Sequence, residues 1–333
     1  MSKVSVLGAG GWGLALSLVA YKNQNDVMVW SLFENEVAAL CDTRESKKLL
    51  PGVKIPNDIK ITADLSLVDG SDIVIIATPS FAVRETARRL SSLKNVKTVV
   101  CVSKGIEYSS LLTLSEVIES ELPNADIVVL SGPSHAEEVA REVETSLVSA
   151  SKKRKAASLV QKIMSNDKLR IYTNDDVLGV ELGGAFKNII AIAAGICDGM
   201  ELGDNTRAAL MTRGLTEMAR LGVKMGAREQ TFAGLTGMGD LIVTCTSRHS
   251  RNHRFGELLG KGYGVEDALN TVGTVEGYYA AAAANRLRKK YGVSLPIIKQ
   301  AYKVMYENMS ARDAVSYLMT RPNRAEIDDS WIK

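Results

Sequence analysis

Histidine and cysteine are scarce in this chain. Of 333 residues, three are histidine and four are cysteine. The cysteines (Cys41, Cys101, Cys197 and Cys245) lie far apart, and no pair has C-x-x-C spacing, which speaks against a zinc or redox motif. No His/Cys/Asp cluster has ligand spacing, so no metal is expected. Thiols scattered through a chain of this length are expected to be free, in a reducing cytoplasm. An excess of one charge is also missing. Lys and Arg total 41 against 38 for Asp and Glu, and a net charge of +3 is too small to mark a nucleic-acid or membrane surface. There is no repeat at solenoid periods and no low-complexity tract. The first strand starts within a few residues of Met1, which leaves no room for a signal peptide.

What is present is the profile of a soluble globular protein, with 46% hydrophobic and 24% charged residues. The length suits two domains with real cores. The longest apolar run, residues 180–196, reads as a helix buried on nearly all sides. It holds one lysine, Lys187, with Gly183 and Gly184 one turn ahead. The lysine and the glycines argue against a membrane span. A buried ammonium is costly unless it is paired or lowers its own pKa. Lys187 is therefore either a general acid/base facing a substrate pocket or a structural lysine that snorkels outward or pairs with Glu181.

Residues 4–7 read as a buried parallel strand, followed at once by Gly8-Ala9-Gly10-Gly11-Trp12-Gly13 and a helix. Strand, G-x-G-x-x-G and helix form the dinucleotide fingerprint in its required context. Gly8 makes the turn, Gly10 admits the pyrophosphate, and Gly13 lets the helix lie close to the strand. The helix N-terminus offers N–H groups and partial positive charge to the phosphates. The second strand, 27–30, is followed by Ser31-Leu32-Phe33, with Glu34 late for a ribose contact and no arginine placed for a 2′-phosphate. NAD and NADP both stay open. Arg44, Lys47 and Lys48 read as a charged surface loop.

Further strands are expected at 71–77, 98–102, 127–130 and 146–150, with helices at 81–90 and 152–165. This alternation predicts an α/β fold with an N-terminal Rossmann-like, doubly wound, mostly parallel sheet. The loops 78–80, 103–105 and 131–136 then sit beyond strand carboxyl ends, where ligands bind. Lys104 is well placed there for an anion. His135 reads as an acid/base or, more simply, as a packing or capping residue. After about residue 178 the pattern turns helical, at 180–200, 206–221, 256–261, 278–291, 295–306 and 311–319. The expected domains are thus 1–178 and an all-helical 179–333, with the active site in the cleft between them. Two loops stand out in the second half: the glycine-rich 234–240, ending in Asp240, and 244–254, where Ser250, Arg251 and Asn252 offer the donors that grip a phosphate.

Taken in order, several motifs carry a resemblance over nearly the whole chain. They are Gly8-Ala9-Gly10-Gly11-Trp12-Gly13, Ser103-Lys104-Gly105, Ser131-Gly132-Pro133-Ser134-His135-Ala136, Glu181-Leu182-Gly183-Gly184-Ala185-Phe186-Lys187-Asn188, Gly237-Met238-Gly239-Asp240 and Ser250-Arg251-Asn252. Together they resemble NAD(P)-dependent glycerol-3-phosphate dehydrogenases of the bacterial type. The resemblance implies that dihydroxyacetone phosphate and sn-glycerol 3-phosphate are interconverted by hydride transfer with NAD or NADP, supplying phospholipid synthesis. It implies Lys187 as the catalytic proton acceptor and a substrate site of Lys104, Gly132, Ser134, Lys187, Asp240, Ser250, Arg251 and Asn252. It implies cofactor contacts from Gly11, Trp12, Lys104, Ala136, Arg251, Val275 and Glu276, beside the fingerprint glycines Gly8, Gly10 and Gly13. Leu32 stands where many relatives carry a basic or imidazole side chain, and His135 where Phe is common. A homodimer is left open. The rival readings are a β-hydroxyacid or 6-phosphogluconate type of dehydrogenase, and a nicotinamide-sensing module without catalysis.

Overall fold

Among the described residues, eight strands form one sheet. They are β1 (Lys3–Leu7), β2 (Asp26–Trp30), β3 (Lys60–Thr62), β4 (Ile73–Ile76), β5 (Thr98–Cys101), β6 (Asp126–Ser131), β7 (Thr145–Ala150) and β8 (Leu169–Asn174), in the spatial order β3-β2-β1-β4-β5-β6-β7-β8. The structure is a computed structural model and describes residues 1–323, 325 and 326. Arg324 and residues 327–333, which belong to the expected second domain, lie outside the described residues. The first six strands take the order 3-2-1-4-5-6 of dinucleotide-binding sheets. β4 and β5 are buried at every residue and β1 at all but Lys3, as a parallel sheet covered on both faces requires.

All neighbouring strands pair in parallel except β6 and β7, which are antiparallel. The connection explains the reversal. Helices α1 (Gly11–Lys22), α2 (Glu34–Thr43), α3 (Val83–Leu90) and α4 (Leu114–Glu121) precede α5 (Ala136–Ala140), and α5 has only 5 residues. A helix that short advances about 8 Å, against roughly 20 Å for a six-residue strand. The chain therefore enters β7 from the end at which it left β6. The expected strands are all present. β3 and β8 add two that were not expected, one very short and one amphipathic at the sheet edge.

After α6 (Arg154–Met164) and β8 the chain is helical: α7 (Val177–Gly199), α8 (Gly203–Met225), α9 (Glu229–Phe232), α10 (Asp240–Thr246), α11 (Arg251–Gly260), α12 (Val265–Val272), α13 (Glu276–Lys290), α14 (Pro296–Tyr306) and α15 (Ala311–Met319). Asp176 caps α7, accepting from Gly179 N at 3.0 Å, and the same carboxylate holds Thr231 Oγ1 at 2.6 Å. The first turn of α7 packs Val177 and Val180 into the core beneath the sheet, while residues 182–196 run through the helical core. α7 is long and apolar enough to cross a membrane, but it is an interior helix of this fold.

α11 crosses α7 at very short range. A Cβ on Gly195 or Gly256 would collide with the carbonyl oxygen of His253 or Ile192, and Gly199 and Gly260 continue the seam one turn on. Glycine is needed here because main chain meets main chain. The start of α11 is thereby set against the helix that carries Lys187.

Two expected loops are regular structure. Residues Leu235–Gly239 form a π-helical turn that runs into α10, and Ser250 to Asn252 open α11. Ser250 is the N-cap, its side chain accepting from His253 N at 3.2 Å.

Candidate active site

The glycine turn leaves β1 with Gly8 at φ +116°, where a Cβ would sit 2.8 Å from the Ala77 carbonyl oxygen. A Cβ on Gly13 would collide with the Gly8 carbonyl, so α1 lies close against the strand. At Gly10 a Cβ would meet nothing within 4 Å. Gly10 is also the N-cap of α1, with no side chain capping the first-turn N–H groups of Gly11, Trp12 and Gly13. This is an open cradle of main-chain donors, and it fits a pyrophosphate. Gly11 is covered more closely: a Cβ there would lie 2.8 Å from the Leu49 carbonyl oxygen and 3.8 Å from the Ala136 Cβ.

The loops that follow β4, β5 and β6 meet the helical half at the sheet's carboxyl edge. From the first, Ser80 Oγ donates to Glu276 Oε2 at 2.6 Å, and Ser80 N donates to Oε1 at 3.3 Å. Glu276 follows the buried N-cap Val275, and burial pushes its carboxyl pKa up despite those donors and the nearby charge of exposed Arg251. From the second loop, Lys104 Nζ donates to Asp240 Oδ2 at 2.6 Å and to the Gly132 carbonyl at 3.2 Å. From the third, Gly132 takes φ +140°, and its carbonyl also accepts from Ser134 Oγ at 3.0 Å.

Lys187 projects from the middle of α7 into this junction. Its Nζ donates to Asp240 Oδ1 and, at 2.6 Å, to Thr244 Oγ1. The side chains of Lys187 and Asp240 are 7% and 1% exposed, so this is a buried ion pair. Lys187 neither snorkels nor pairs with Glu181. The Glu181 carboxylate accepts instead from Ser115 N at 2.8 Å and Ser115 Oγ at 2.6 Å. Burial pushes the Lys187 pKa down to about 8, against the pull of Asp240, and the Lys104 charge adds to the lowering. Burial works against the Asp240 carboxylate too, but the ammonium groups of Lys104 and Lys187 outweigh it and hold its pKa low.

The start of α11 is joined to the same place. Asn252 Nδ2 donates to Asn188 Oδ1 at 3.0 Å, beside Lys187, and Asn252 Oδ1 accepts from Gly277 N at 2.8 Å. His253 turns away to Asp198, its Nε2 lying 2.8 Å from Oδ2. His135 packs its ring on His249, with centroids 6.0 Å apart. Burial and the Lys187 charge lower its pKa. Two buried polar atoms, Ser131 Oγ at the end of β6 and His135 Nε2 in the loop after it, have no hydrogen-bond partner among the described residues. Groups of His, Cys, Asp and Glu that could hold a metal are absent among the described residues.

Sequence reasoning missed Thr244, Asn188 and Ser80. Thr244 lies four residues after Asp240 and shares its face of α10, a signal hidden by reading part of that segment as loop.

A glycine-turn dinucleotide cradle set against a buried lysine–aspartate pair, at the junction of a Rossmann-type sheet and a helical domain, defines a two-domain nicotinamide-dependent dehydrogenase. Two family models match the chain: the N-terminal part of NAD-dependent glycerol-3-phosphate dehydrogenase over residues 3–157, and its C-terminal part over 176–316. The chain belongs to the NAD-dependent glycerol-3-phosphate dehydrogenase family. It is 50% identical to glycerol-3-phosphate dehydrogenase [NAD(P)+] of Bacillus subtilis over 99% of this chain and 97% of that one. The enzyme of the same name from Agathobacter rectalis is 48% identical over 98% of both chains. The crystal structure of glycerol-3-phosphate dehydrogenase from Coxiella burnetii superposes with a TM-score of 0.93 at 37% identity, covering 96% of this chain and 99% of that one.

Proposed function

We propose that this chain interconverts dihydroxyacetone phosphate and sn-glycerol 3-phosphate with NAD or NADP, supplying glycerol phosphate for phospholipid synthesis. The observation that carries the reading is the buried Lys187–Asp240 pair, flanked by Lys104 and the start of α11 at the carboxyl edge of the sheet. Hydride exchange at carbon C2 of the substrate is the chemistry a bound nicotinamide dinucleotide supplies. Gly8, Gly10 and Gly13, with the first-turn N–H groups of α1, would hold its pyrophosphate. Trp12, Lys104, Ala136, Arg251, Val275 and Glu276 would contact the rest of the dinucleotide.

In the direction of reduction, protonated Lys187 stabilises the negative charge growing on the C2 oxygen and passes its Nζ proton to it. In oxidation, neutral Lys187 takes the proton of the C2 hydroxyl. Burial makes that neutral form accessible near pH 8. Thr244 Oγ1 and Asp240 fix the ammonium so that little reorganisation is needed. The substrate phosphate would fall to Ser250, Arg251 and Asn252, and Lys104, Gly132 and Ser134 would complete the substrate site. The unpartnered Ser131 and His135 atoms support a polar ligand at that loop. A reducing cytoplasm belongs to the same reading and is supported by the free thiols at Cys41, Cys101, Cys197 and Cys245. It leaves room for a homodimer.

The test is initial-rate oxidation of NADH and NADPH with dihydroxyacetone phosphate, beside β-hydroxyacids and 6-phosphogluconate with the oxidised cofactors. Turnover confined to the triose phosphate is expected. Activity on the acids, or tight cofactor binding without any turnover, would displace this reading.

A further inference from the structure

Dinucleotide-binding sheets choose between NAD and NADP at the carboxyl end of the second strand. An acid there holds the adenosine ribose 2′-hydroxyl, and an arginine takes a 2′-phosphate. After Trp30 this chain has Ser31, Leu32 and Phe33, so neither group follows the strand directly. Leu32 and Phe33 stand exposed and bring no donor for a phosphate.

The fold brings an acid back to this place. Ser31 is buried, and its hydroxyl donates to Oε2 of Glu36 in the first turn of α2. Phe33 N donates to the same hydroxyl at 3.2 Å, so Ser31 is held from both sides. The half-buried Glu36 carboxylate is thus fastened to the end of β2, with its second oxygen left to accept. That end adjoins the glycine turn: Gly8 N donates to the Trp30 carbonyl at 2.8 Å.

Two cations that follow α2, Arg44 and Lys54, are committed elsewhere. Arg44 donates to the carbonyls of Ile59 at 2.9 Å and Pro56 at 3.4 Å. Lys54 pairs with Glu45 at 2.9 Å, and the charge of Lys47 also falls on Glu45. Lys48 is exposed to solvent.

We propose that Glu36, oriented by Ser31, reads the adenosine ribose, and that the chain consequently binds NADH in preference to NADPH. This rests on the dehydrogenase reading above and deepens it. A neutral 2′-hydroxyl donates to the carboxylate. A 2′-phosphate loses that donor and sets like charges together.

The experiment is direct titration of the protein with NADH and with NADPH, without substrate, followed by quenching of tryptophan fluorescence. NADH should bind roughly tenfold tighter or more, the scale of one hydrogen bond to a charged group. Glu36→Gln keeps the Ser31 contact and removes the charge, so the preference should shrink severalfold. Leu32→Arg should raise NADPH affinity. NADPH binding as tightly as NADH overturns the inference, as does a Glu36→Gln protein with an unchanged ratio. Binding of neither dinucleotide overturns the dehydrogenase reading and this inference with it.

Discussion

Lys104 and Lys187 hold opposite oxygens of one carboxylate. The first reaches Asp240 Oδ2 from the sheet half, the second Asp240 Oδ1 from the core of the helical half. Lys187 is buried and Lys104 largely so, and the Lys104 charge bears on Lys187.

Lys187→Ala should lower turnover by on the order of 10²–10⁴, the range for a lost acid/base group. Dinucleotide affinity should stay nearly intact, since the glycine turn is distant in the chain and independent of the lysine. Steady-state kinetics beside a fluorescence titration separates the two. Near-normal turnover would remove Lys187 from catalysis.

The two directions of reaction should have opposite pH limbs. Oxidation of sn-glycerol 3-phosphate needs neutral Lys187 and should rise with pH through about 8, while reduction should fall over the same interval. Lys104 lowers the Lys187 pKa, so Lys104→Met should shift both limbs toward alkaline pH. Profiles of kcat check the shift, and an acid shift in Lys104→Met would contradict it.

Asp240→Asn should act on both function and stability. Asp240 raises the Lys187 pKa, so its removal should move the oxidation limb to lower pH. It also strands the buried Lys187 ammonium, and losing one partner of such a pair costs about 3–5 kcal/mol. Urea denaturation at pH 6 and pH 9 should show the larger loss at pH 6, where the stranded amine is charged.

Glu217 offers a test away from the cleft. Its buried carboxyl on α8 accepts from Ile297 N at 2.8 Å and Ile298 N at 3.1 Å, and so caps α14. Burial pushes its pKa up to about 7, above the ordinary carboxylate value. The folded state therefore holds the proton more tightly than the unfolded one. That stabilisation is fully present below the unfolded pKa and lost as pH rises through about 7. Glu217→Ala should cost roughly 1–3 kcal/mol for the buried donors left unpaired. Thermal melts across pH 4–8 would show whether the pH slope vanishes in that variant.

Much of this molecule was legible from residue order alone. The run 180–196 announced a buried helix because it is apolar on every side, and the glycine spacing at 8–13 announced the cradle because only glycine permits those approaches. Strand direction was not legible at β7, since alternation of apolar residues carries no polarity and the length of α5 decides the matter. β8 escaped notice because Arg170, Tyr172 and Thr173 give it a mixed edge-strand pattern. In the site, charge and hydroxyl content made 244–254 look like loop. Part of that polarity is a helix cap at Ser250 and an internal pair at His253 and Asp198. Glu36 is the clearest case of a role set by folding. It lies too late in sequence for the ribose position, and only the turn into α2 brings it back.

The contact of α7 with α11 works as a fixed gauge. Because carbonyl oxygens face α-carbons there, no exchange of larger for smaller side chains can lengthen or shorten the gap. The interval between the Lys187 amine and the start of α11, proposed to hold the phosphate, is then the same whatever happens in the neighbouring core. Drift among the surrounding leucines and isoleucines would change how firmly the protein holds together, while the span it presents to a three-carbon phosphate stays constant.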